Sequence, residues 1–293
     1  MNSCSMPSQT IKNVGIIAKP RIAIAGELLP KLVAWIESRS CTPILDENSS
    51  AYAGRADGVD RAIVGERADL IVVLGGDGTL LSAARASIRR DIPLFAVNLG
   101  GLGFLTAIKI EDLYPQLDRA LRGELQSQCR LMLHSEIVRD GKTIATYEGL
   151  NDLVLAKTEM ARMIDLEAYI DGNFVCVYKA DGLLIATPTG STAYSLSAGG
   201  PIVLPTVAGL AMTPICPHML TNRPVIVPDT SVVEVVVRGD ASTYLTVDGQ
   251  LGEALFAGDR VTCRKSQHFT RLIRPENLLF FDVLREKLKW GGR

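Results

Sequence analysis

The chain has 293 residues, 47% of them hydrophobic, and a formal net charge of −1. That length suits one large or two ordinary domains with sizeable cores, and the charge balance gives no global basic field to hold nucleic acid or an anionic membrane. The opening stretch MNSCSMPSQT has no basic region followed by an apolar run, and no later apolar run approaches the roughly 20 residues of a spanning helix, so a cytoplasmic protein is expected.

The first third alternates two textures. VGIIAK (14–19), TPIL (42–45), DLIVVL (69–74) and IPLFAVN (92–98) read as strands; GELLPKLVAWIESR (26–39) and TLLSAARASIRR (79–90) read as helices. This βαβ rhythm predicts a mostly parallel sheet covered by helices. From about residue 126 the pattern shortens to β-type runs, with Asp-Gly hairpin signals in RDGK (139–142) and IDGN (170–173). A largely antiparallel β domain is expected there. The C-terminal RPENLLFFDVLREKLKW (274–290) returns to helix, with Pro275 in a first turn and Leu278, Phe281, Leu284 and Leu288 on one side. Six cysteines (Cys4, Cys41, Cys129, Cys176, Cys216, Cys263) lie far apart without a CxxC pair, so reduced thiols are expected.

Three stretches carry candidate chemistry. In GGDG (75–78), glycines after a strand either shape a turn with Asp77 as a helix N-cap, or form an anion cradle. Gly75, Gly76, Gly78 and Thr79 would line that cradle. An acid beside a phosphate needs a task, and the one that fits is general base toward a hydroxyl attacking a phosphoryl group. Other phosphate-loop templates fail: Leu81 stands where GxGxxG needs its third glycine, and Glu136 where the P-loop needs its first. The stretch KADGLLIATPTGSTAYSLSAGGP (179–201) is either a solvated hydroxyl-rich loop or a cleft for a polar ligand with a flat ring against Tyr194. Asn151 and Asp152, at the mouth of another apolar strand, form either a turn or a donor and acceptor for ribose hydroxyls.

Taken together, GGDGT, LND, DGLLIATPTGSTAYSLSAGGP and TVDGQ (246–250), in that order, resemble the bacterial NAD kinases over nearly the whole chain. The resemblance implies α/β plus all-β architecture: a Rossmann-like N-terminal domain (1–125), a β-sandwich-like domain (126–265), an active site between them and a C-terminal segment (266–293) returning to the first domain. It implies transfer of a phosphoryl group from ATP to the 2′-hydroxyl of the adenosine ribose of NAD, with a divalent cation such as Mg²⁺, in a homodimer or homotetramer. Asp77 would be catalytic, and Gly78, Asn151, Asp152, Asp181, the run Thr192, Ala193, Tyr194, Ser195, Leu196 and Ser197, and Gln250 would line the NAD site. Arg162 falls on a position that is basic in relatives, though a solvated charge is the other reading. Lys179 falls on a position linked to selectivity for NAD over NADH. No dedicated metal cage is signalled, consistent with Mg²⁺ carried partly by phosphates. A lipid kinase would share GGDGT without the hydroxyl-rich stretch, and a non-catalytic dinucleotide sensor would not need Asp77.

Overall fold

The computed structural model describes residues 3–4, 11–101, 103–158, 162–275 and 279–290. The chain divides into two compact units, Met1–Arg130 with His268–Arg293, and Leu131–Gln267.

The first unit is built on parallel strands in the order Thr42–Leu45, Asn13–Ala18, Leu70–Gly75, Pro93–Asn98 and the C-terminal end of Arg260–Ile273. Leu70–Gly75 and Pro93–Asn98 are buried at every position, which is why they read as unbroken apolar runs. Helix Ala25–Ser38 buries Leu28, Leu29, Leu32, Val33 and Ile36 in a core with Ile16, Val72, Leu74, Phe95 and Val97 of the strands. Helices Asp77–Ser87 and Leu113–Leu121 add Leu80, Leu81, Leu113 and Leu117 to the buried set. Two short helices, Glu47–Tyr52 and Arg61–Arg67, escape the sequence pattern because each buries only two residues. Their visible signals are the N-caps: Asp46 accepts from the Ser49 amide and Asp60 from the Ala62 amide.

In the second unit a six-stranded antiparallel sheet runs Val225–Pro228, Gly209–Ile215, Gly182–Ala186, Asp152–Lys157, Thr243–Val247, Leu251–Leu255. A second antiparallel layer contains Asn173–Ala180, Ile164–Ile170, Val233–Arg238 and the N-terminal end of Arg260–Ile273. Leu153, Leu155, Leu183, Ile185 and Leu245 from one layer share a core with Leu166, Ala168, Val233, Val235 and Val237 from the other. Both Asp-Gly hairpins form: Asp140 and Gly141 have φ of 50° and 73°, Asp171 and Gly172 of 51° and 77°. Positive φ at both central positions matches the right-handed twist of the flanking strands.

Three expectations are corrected. The C-terminal helix begins at Phe280, not near Pro275, because strand Arg260–Ile273 continues far enough to pair Arg271, Leu272 and Ile273 with Pro93, Leu94 and Phe95. The buried face also differs from the expected one: Val283 and Leu284 are buried, whereas Phe281 is 51% exposed. Leu278 lies outside the described residues. Among the cysteines, Cys129 is disulfide-bonded, while Cys41, Cys176, Cys216 and Cys263 are free. Pairing between cysteines distant in sequence depends on tertiary proximity, which motif spacing does not report.

Candidate functional site

Asp77 is the first helical residue after Leu70–Gly75, and Gly76, in extended conformation, takes the N-cap position. The capping reading of Asp77 therefore fails. Its carboxylate instead reaches the loop after Pro93–Asn98: Oδ2 accepts from the Phe104 amide at 2.9 Å, and Oδ1 accepts from the Leu105 amide, the Thr106 amide and the Thr106 hydroxyl, each at 3.1 Å. Asn98 shapes the same loop, donating to Gly101 O and Thr106 Oγ1 and accepting from the Gly100 amide. A Cβ on Gly103 would lie 2.2 Å from Asp77 Oδ1, so only glycine lets the loop close this tightly. NLGGLGF is thus the partner of GGDG.

The expected phosphate loop divides in two. Gly75 and Thr79 are buried, and a Cβ on Gly75 would meet Thr79 Oγ1 at 2.5 Å, so this pair packs strand against helix. Gly76 has open space where a Cβ would point and Gly78 is exposed, leaving these two able to face a ligand. None of the three glycines has positive φ. Their value here is close approach and not turn conformation.

In the second unit LND, TPTG and DGQ form one nest. Asp248 Oδ1 accepts from the Asn151 amide at 2.8 Å and the Asp152 amide at 3.3 Å, and Oδ2 from the Leu150 amide at 3.1 Å. Thr187 donates its hydroxyl to Leu150 O at 2.6 Å and its amide to Asn151 O at 2.9 Å. A Cβ on Gly190 would lie 2.0 Å from Asn151 O, which explains the glycine. Within this nest Asn151 Oδ1 is buried without a hydrogen-bond partner among the described residues. Asp152 is 4% exposed; burial first, and the nearby Asp248 charge second, push its carboxyl up to about 7.

The hydroxyl-rich stretch is only partly available to a ligand. Ser191 bonds Pro188 O and both the carbonyl and the amide of Val203, and Ser195, fully buried, pairs with Thr213 at 3.4 Å. Thr192 donates to Thr189 O, and Ala193 links the turn Gly190–Thr192 to the short helix Tyr194–Ser197. Tyr194 is 46% exposed, Ser197 is exposed and Leu196 half-buried. Asp181, between strands, forms an ion pair with Lys157 at 2.6 Å. Lys179 is exposed and stands opposite Asp165 in its hairpin; Gln250 is exposed in the turn beside Asp248; Arg162 is exposed ahead of Ile164–Ile170. Sequence reasoning missed Asn98, Thr106 and Asp248. The TVDGQ stretch points to Gln250, and nothing local in it signals that the Asp248 carboxylate reaches amides 96 to 98 residues earlier.

Matching family models cover both units. The ATP-NAD kinase N-terminal domain matches residues 14–125 and the ATP-NAD kinase C-terminal domain matches residues 150–275. An NAD kinase of Solibacter usitatus is 59% identical over 284 residues, covering 97% of this chain and 99% of that relative. One of Koribacter versatilis is 46% identical, covering 97% of this chain and 100% of the relative. Among solved structures, yeast NADH kinase complexed with NADH has a TM-score of 0.90 at 25% identity, covering 98% of this chain and 89% of that one. An Archaeoglobus fulgidus NAD kinase in complex with ATP shares the fold, with a TM-score of 0.75 at 23% identity over 94% of this chain and 98% of that one. On these matches, spanning both units and nearly the full length, the chain belongs to the NAD kinase family.

Proposed function

We propose that this protein transfers the terminal phosphoryl group of ATP to the 2′-hydroxyl of the adenosine ribose of NAD, giving ADP and NADP, with Asp77 as general base. The observation that carries the reading is the state of the Asp77 carboxylate. Oδ1 is held by three donors and Oδ2 by one, so the group is fixed in place while Oδ2 keeps a lone pair for the ribose proton. A positioned base avoids reorganisation during the reaction. Gly76 and Gly78 give the donor phosphates a close backbone approach.

In this reading the NAD site uses Asn151, whose buried carbonyl oxygen has no partner among the described residues, with Asp152 beside it for the ribose. Asp181, held by Lys157, and the exposed Tyr194 and Ser197 add polar and stacking contacts. Ser195 and Leu196 shape the wall. Mg²⁺ would supply charge neutralisation between phosphates. Among the described residues no group of three or more His, Cys, Asp or Glu converges on a point, so the ion would be held chiefly by phosphate oxygens, which suits its coordination habit. The homodimer or homotetramer implied by the resemblance can be read by light scattering.

Incubation with NAD, ATP and Mg²⁺ followed by enzymatic detection of NADP tests the activity; a folded protein giving no NADP sinks it. Asp77→Asn is expected to lower kcat by about 10² or more with little change in NAD affinity. Ordinary turnover in that variant would leave Asp77 as a loop anchor only.

A further inference from the structure

Strands Leu70–Gly75, Pro93–Asn98 and Arg260–Ile273 are parallel neighbours, so their carboxyl ends emerge along one edge of the first unit's sheet. Open α/β sheets hold ligands at such an edge. Asp77 follows the first strand and the loop that binds it follows the second. Arg274 follows the third. Arg130 belongs to Ser127–Arg139, which pairs with Arg260–Ile273. Arg274 lies within electrostatic reach of both Arg130 and Asp77.

The two guanidinium groups are almost withdrawn from water, Arg130 at 3% and Arg274 at 6% exposed. Neither is fully satisfied: among the described residues, Arg130 Nε and Arg274 Nε and Nη2 have no hydrogen-bond partner. Arg130 Nη2 donates to the neutral Gln128 Oε1 at 2.8 Å. Burial, and then the neighbouring Arg274, push Arg130 down to about 9; burial also lowers Arg274, with Asp77 acting in the opposite sense. Two buried cations therefore lie within electrostatic reach of each other, and the Asp77 carboxylate acts on Arg274. Buried donors left unmade are costly, and like charges in a low-dielectric region more so. A tetrahedral oxyanion would satisfy both deficits, since the planar guanidinium fork matches phosphoryl oxygens.

We propose that Arg130 and Arg274 form a phosphoryl-binding subsite at this edge, which takes the group that is transferred beside Asp77. The inference rests on the kinase reading for the identity of the ligand. In the step, the ribose O–P bond forms as the bond from phosphorus to the ADP oxygen breaks, and the ribose proton passes to Asp77 Oδ2. The two cations offset charge on the equatorial phosphoryl oxygens.

The test uses the full-length protein and inorganic phosphate as probe, by calorimetry and thermal melts against chloride at equal ionic strength. Phosphate is expected to bind and raise the melting temperature of the unaltered protein, with ATP competing for the same site and NAD not. Arg130→Met and Arg274→Met should weaken phosphate binding by about tenfold or more, raise KM for ATP and lower kcat, and leave NAD affinity unchanged. Arg274→Lys, which keeps the charge but loses the fork, should fall between and serves if a Met variant does not fold. Phosphate affinity unaltered in the variants, or no phosphate binding by the unaltered protein, overturns the subsite. If phosphate binding depends on the arginines while no NADP forms, the subsite stands and the kinase reading falls.

Discussion

Asp77 in the first unit and Asp248 in the second use the same device, a carboxylate accepting three consecutive backbone amides, to opposite ends. Asp77 receives Phe104, Leu105 and Thr106; Asp248 receives Leu150, Asn151 and Asp152. Asp77 is half-buried, faces the cation of Arg274 and keeps acceptor capacity on Oδ2. Asp248 is 7% exposed and faces another acid, Asp152, whose proton it helps retain. A carboxylate bound by amides is therefore no guide to role by itself. What surrounds it decides whether it can accept a proton or only hold a loop.

The comparison can be broken first through stability. Asp248→Ala leaves three buried amides without an acceptor and is expected to cost about 3 kcal/mol or more in chemical denaturation. A loss below about 1 kcal/mol would mean the nest does not depend on Asp248. Asp77→Ala should cost less, about 1–2 kcal/mol, because Asp77 and Phe104 are only half-buried, so water entering the space left by the carboxylate can satisfy part of the freed amides even though Leu105 and Thr106 are buried. Equal losses would remove the distinction between scaffold and site, whatever the activity of Asp77→Asn.

The smallest expected effect is in pH. The Asp152 carboxyl lies at about 7 in the folded chain against an ordinary 3.8, so the native state binds more protons than the unfolded state between those values. Its contribution to stability is full below about pH 4 and is lost as pH rises through about 7. Other carboxylates act in the opposite sense, so the measurement is a difference. Relative to Asp152→Asn, the unaltered protein should lose roughly 3 °C of melting temperature between pH 5.5 and 8. A constant offset between the two melts across that range would show that Asp152 is ionised throughout.

Much of this was legible in the chain because it is local. The apolar runs of Leu70–Gly75 and Pro93–Asn98 are doubly buried strands, and the two Asp-Gly turns carry the φ values that their residues favour. The chemistry-bearing stretches were legible because dense glycines and hydroxyls are uncommon without a purpose. Which hydroxyl serves which purpose was not: Ser191 and Ser195 are committed inside the fold, while Tyr194 and Ser197 reach the surface. Nothing in their spacing separates them.

By itself, then, the sequence determined the alternation of elements, the hairpins and the position of an acid at a strand's end, since each follows from the conformational preferences of neighbouring residues. Tertiary structure alone decided that Asp77 binds a loop 27 to 29 residues away and that Asp248 organises amides 96 to 98 residues before it. It also placed Arg274 within reach of Asp77. Those pairings come from parallel strands returning to a common edge and from buried amides requiring an acceptor, and neither constraint is written in any short stretch of the chain.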